Sequence, residues 1–186
     1  MKKSFKVSTI IILMFVLVFS TLVANAYPKD FSVRVPIVRQ EKDKWCWNAS
    51  CVSILGEYGK TVSQRNFCIT VKGKVINEGG YDWESQTGLR AYGLDSTHTG
   101  GLSFNSVVSE TYYYERPVYA VWSWSVGGAH AVVLEGYDER SGQYIYYMDP
   151  WDGARHYMSY AFFKGGPGYD RRWNRSLYKL EKNSNF

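Results

Sequence analysis

Residues 39–58, RQEKDKWCWNASCVSILGEY, set a cysteine between two tryptophans where a charged run meets an apolar one. Trp47, Cys51, Ile54 and Tyr58 recur at spacings of four, three and four, the period of one helical face, and Gly59 follows as a stop. The spacing predicts a helix over 46–58 with Cys46 in its first turn. Backbone N–H groups at a helix start lack intrahelical partners and favour negative charge. The thiolate is the nucleophilic form of cysteine, so this position activates Cys46. Cys51 lies further in, on the face of Trp47 and Ile54, and reads as a buried thiol.

Outward from this stretch, the N-terminus carries Lys2, Lys3 and Lys6, then an apolar run over 10–19, then Ala24-Asn25-Ala26. This order predicts a secretory leader, residues 1–26, cleaved after Ala26. Its apolar core is short beside the roughly 20 residues of a membrane span, so no stable membrane association is expected once it is removed. The whole chain has a net charge of +5, and the leader holds three of the lysines and no acid. The remainder, at roughly +2, has too little charge to argue for nucleic acid. It is read as one domain, and as a monomer. The three cysteines, Cys46, Cys51 and Cys68, are an odd number for an oxidising compartment, where thiols usually pair. Cys51 and Cys68 are either bridged to each other or left as core thiols. A zinc site is excluded by the five-residue step from Cys46 to Cys51 and by the lack of a paired histidine segment. No metal or cofactor is expected.

The remaining elements divide the chain in two. An edge strand is expected over 32–38, where a proline interrupts alternation. Helices are expected after Ser63, over 83–93, and after Ser103. Strands are expected over 116–124, 129–137, 143–150 and 175–180. Helices first and antiparallel strands second predict an α+β fold, with a mainly helical lobe over 27–115, a mainly β lobe over 116–186, and a cleft at the seam.

A cysteine nucleophile needs a base, and the base needs an orienting group. His98 falls in a polar loop and His156 just past a turn. His130 opens an apolar strand, and the hairpin that follows turns near Arg140 and Ser141. That register sets His130 opposite Pro150 or Trp151, with Asp149 close enough to hold the imidazole. Asp138 reads as a turn former. Gln40, six residues before Cys46, could fold its carboxamide beside the Cys46 N–H, so that two donors meet one oxyanion.

These residues resemble the papain-like cysteine peptidases. Gln40, five residues, then Cys46-Trp47 with Ala49-Ser50 behind is similar to that family's active-site segment, in which the glutamine is an oxyanion-hole donor and the cysteine heads the central helix. GGAHAVVLEGYD, residues 127–138, resembles its histidine strand. MDPW, residues 148–151, resembles its orienting segment, with Asp149 where papain itself has asparagine. Pro36-Ile37 before Gln40, Arg116-Pro117-Val118 before the histidine strand and Asp149-Pro150 after it are similar to short bacterial members, namely bacteriocin-leader-processing peptidases and a plant-pathogen effector peptidase. The resemblance runs over 35–180.

It implies a papain-like two-lobe fold and a secreted peptidase acting on protein or peptide substrates through Cys46, His130, Asp149 and Gln40. Only 19 residues lie between the expected cleavage point and Cys46. Control by a separate protein inhibitor, or no such control, is therefore expected in place of a long prosegment. The chain carries no transporter segment, so a role in bacteriocin export is not expected. Two alternatives share the fold: acyl transfer of transglutaminase type on the same triad, and a secreted binding module without catalysis. Trp45, Trp47, Trp122, Trp124 and Trp151 are candidates for either cleft walls or core.

Overall fold

The computed structural model describes residues 27–184 and 186. The expected leader lies outside them. Helix α1, Cys46–Glu57, is buried on nearly every side, from Trp47 to Leu55. It exceeds the single apolar face that its spacing suggests, because polar Asn48 and Ser53 are buried with it. Asn48 Nδ2 donates to Gln64 O at 2.8 Å and Ser53 Oγ to Pro36 O at 2.6 Å, so burial leaves these donors satisfied. Helix α2, Gln64–Lys72, starts where Ser63 Oγ accepts the Asn66 N–H and ends at left-handed Gly73. Helix α3, Asp82–Ala91, completes the group.

The sheet has seven strands: β1, Asp30–Ser32; β2, Leu94–Thr99; β3, Val118–Trp124; β4, Ala129–Asp138; β5, Tyr144–Asp149; β6, Ala154–Ser159; and β7, Arg171–Lys182. The order is β2-β7-β3-β4-β5-β6, every pairing is antiparallel, and β1 pairs with the far end of β4. The helical half thus lends β1 and β2 to the sheet. The strand expected over 32–38 is displaced: β1 shares only Ser32 with it. Val33 N–H still donates to Glu135 O, but Arg34 turns to φ 52° and Pro36 has no N–H to continue a ladder.

Strand alternation divides the core into two layers. Tyr119, Val121, Ala131 and Val133 face α1 to α3 and pack with Trp47, Ile54, Leu55 and Phe67. Val118, Ala120, Trp122, Val132 and Leu134 face the other way. That second face is closed by α4, Phe104–Val108, which runs into a π-helical turn, Ser109–Tyr113, and by α5, Tyr160–Lys164. Cys51 and Cys68 are both free thiols, so the bridge between them is not formed. The Cys68 thiol instead donates to Lys74 O at 3.4 Å, which turns its sulfur to the loop after α2.

Candidate active site

The start of α1 is held from below. Trp45 Nε1 donates to Ile76 O at 2.8 Å and Trp47 Nε1 to Glu78 O at 3.0 Å. The two indoles around Cys46 therefore tie the 76–80 loop to the helix start, and both are core. Gly80 lies flat on the Trp47 ring, where an added Cβ would come within 2.3 Å of it. No side chain caps α1, and its first turn holds no acid. Its N–H groups are therefore left to the Cys46 sulfur and to whatever binds beside it.

Strand β4 carries the base. The observed register pairs Val133 with Met148, which extrapolates to His130 opposite Trp151, as the hairpin arithmetic expects. His130 Nε2 meets Asp149 Oδ1 at 2.7 Å, leaving Nδ1 to face Cys46. Asp149 is itself fixed, since its Oδ1 also accepts the Trp151 N–H at 2.9 Å. Pro150 O accepts the Gln40 N–H at 2.8 Å, which pins the cysteine loop to this turn.

Electrostatics follow from this geometry. Burial works against a Cys46 thiolate, but the His130 hydrogen bond and charge and the Ala131 and Trp47 N–H groups outweigh it, so the thiol lies below its ordinary range. Burial likewise opposes an imidazolium, yet the Asp149 and Cys46 contacts raise His130 to about 9. The Asp149 carboxyl is lowered despite burial, chiefly by its bond to His130. All three effects favour one state: thiolate, imidazolium, carboxylate.

Cys46, His130 and Asp149 line one cleft of about 650 Å³. Trp122, Trp124 and Trp151 line it too, whereas Trp45 and Trp47 do not. His98 is engaged with Asp82 at 3.1 Å on edge strand β2, and His156 with Asp152 at 2.9 Å on β6, so neither stands at the sulfur. Gln40 lines an adjacent depression with Lys42, Asp43 and Trp151. Its Nε2 donates to Lys42 O and Asp43 O, each at 2.9 Å, and braces the turn that feeds α1. Ala131, Met158 and Arg171 also belong to the site, and no side-chain pattern in the sequence marks them. The hydrogen bond from the Ala131 N–H is invisible in a side-chain pattern. Met158 sits on β6, where no strand is expected, and Arg171 on the start of β7, before the strand expected over 175–180.

A thiol beside an imidazole oriented by a carboxylate, at an uncapped helix start and in an open cleft, is the arrangement of a cysteine peptidase of papain-like fold. The particular family follows from residues 29–166, which match the description "papain-like cysteine protease AvrRpt2" (Peptidase_C70). The chain belongs to that family. Solved structures with a similar fold include a double glycine motif protease from an AMS/PCAT transporter in complex with the leader peptide. It is 20% identical at TM-score 0.61, covering 82% of this chain and 95% of that one. A C39-like peptidase from Bacillus anthracis is 15% identical at TM-score 0.59, covering 83% and 99%. No curated protein matches the chain.

Proposed function

We propose that the protein is a secreted peptidase in which Cys46, His130 and Asp149 form the catalytic triad. The carrying observation is the continuous contact from the sulfur through the imidazole to Asp149 Oδ1. The Cys46 thiolate attacks a peptide carbonyl carbon, and the first-turn N–H groups of α1 receive the oxyanion. Gln40 Nε2 is the second donor, a role that requires one of its two loop carbonyls to give way when substrate binds. As the C–N bond breaks, the His130 proton passes to the departing nitrogen and a thioester remains. His130 then takes a proton from water, the hydroxide adds to the thioester carbon, and the C–S bond breaks to restore the thiolate. A peptide substrate is supported by the neighbouring structure that holds a leader peptide. Secretion is supported by the leader pattern at residues 1–26, and protein recovered outside the cell should begin at Tyr27.

A thiol-directed epoxide tests this reading. It should label the protein at neutral pH, at Cys46 alone, and stop cleavage of a diverse peptide mixture in proportion. Cleavage that survives Cys46→Ala would contradict the assignment. Products joined to an added amine, in place of free carboxylates, would turn it toward acyl transfer.

A further inference from the structure

Beyond the triad, the cleft is lined by two cations that the mechanism does not use, the exposed Lys44 and the enclosed Arg171, and only Arg171 is held rigidly. Arg171 opens β7 and stands opposite Trp124 in the sheet. Its guanidinium lies 4.5 Å over the Trp122 ring, 4.7 Å over Phe162 and 5.7 Å over Trp124. The side chain is only 11% exposed, yet it lines the cleft. Its hydrogen bonding is poor for a buried guanidinium, which has five donors. Nε has no partner. Nη2 reaches only the Met158 sulfur, at 3.7 Å, and Nη1 only Asp170 Oδ1, at 3.5 Å, on a carboxylate that is largely exposed. Aromatic faces steady the charge but accept no hydrogen bond at its edge. A planar fork held rigidly between rings, with donors unspent, fits a carboxylate.

Position says which part of the substrate supplies it. His130 must deliver its proton to the departing nitrogen, so the leaving half of the peptide lies on the imidazole's side of the sulfur. Trp122 pairs with His130 across β3 and β4, its ring is 6.1 Å from the His130 ring, and the guanidinium lies over it, so Arg171 is joined to the site through the imidazole.

We infer that Arg171 is a specificity-determining residue that binds a carboxylate on the leaving side of the scissile bond. This rests on the peptidase reading above. The carboxylate comes either from an Asp or Glu side chain a few residues beyond the cut or from the C-terminus of a short leaving peptide.

Digestion of a diverse synthetic peptide mixture, prepared once with amidated and once with free C-termini, tests the inference when the products are sequenced by mass spectrometry. Acidic residues enriched roughly tenfold just after the cut in the amidated mixture identify a side chain. Enrichment confined to free termini close to the cut identifies the terminal carboxylate. Either preference should collapse in Arg171→Gln and be only partly kept in Arg171→Lys, which retains charge without the fork. Because the readout is a ratio of products from one protein, a lower folded fraction does not mimic it. Cleavage without acidic preference, or a preference unchanged in Arg171→Gln, overturns the assignment of Arg171 alone. A wild-type protein that cuts no peptide overturns the peptidase reading and this inference with it.

Discussion

Helix α1 carries two thiols five residues apart with opposite chemistry. Cys46, at the first turn, is lowered by His130 and two N–H groups. Cys51 is fully enclosed, and burial pushes its thiol far up against a weaker contribution from Ser85. The side chain is the same in both cases, so the place along the helix and the surroundings of the sulfur set the difference. What differs is whether the sulfur faces donors or hydrocarbon. Of the three free cysteines, Cys46 is also the only one not fully buried.

The largest expected effect removes one side of this contrast. Cys46→Ala should abolish cleavage in a peptide assay while the fold, followed by circular dichroism, persists. Next comes the donor set around Cys46. Gln40→Ala should lower kcat by about a hundred- to a thousand-fold if its Nε2 serves the oxyanion. If it only braces the loop through Lys42 O and Asp43 O, the loss should appear in thermal stability instead. Asp149→Asn comes third. It removes the main influence that raises His130, so the alkaline limb of the kcat/KM profile should move down from about 9, with a loss approaching the roughly hundredfold worth of general acid–base help. The smallest effect belongs to Cys51→Ala. It should cost about 1–2 kcal/mol of stability by opening a small cavity and leave the thiol reactivity of Cys46 in place.

The pH profile carries a definite sign. The productive state needs sulfur without its proton and imidazole with it. Activity should therefore rise below the ordinary thiol range and fall as His130 gives up its proton near 9.

Much of the site was legible because its parts sit where local sequence rules are strong. The Cys46 helix start follows from apolar period and an adjoining charged loop. The His130–Asp149 pairing follows from hairpin arithmetic, which tolerates the one-residue irregularity between Leu134 and Gly136 because the error stays within reach of a side chain. Strand β2 was missed for the converse reason. LDSTHT buries only Leu94, since an edge strand pairs on one side and needs no alternation to stay there. Strand β6 and the start of β7 were hidden likewise: Arg155, His156, Arg171 and Arg172 give no apolar alternation to mark a strand. The Gln40 side chain was legible in place but not in direction, because spacing along a chain does not say which way a carboxamide turns.

The pH dependence of Cys46 alkylation by iodoacetamide, in the wild type and in His130→Ala, probes the ion pair most directly. In the wild type the rate should already be high below the pH range in which ordinary thiols ionise, and His130→Ala should return it to an ordinary thiol titration. Coincident curves, both rising only in the range of a free cysteine, would contradict the pairing of sulfur and imidazole.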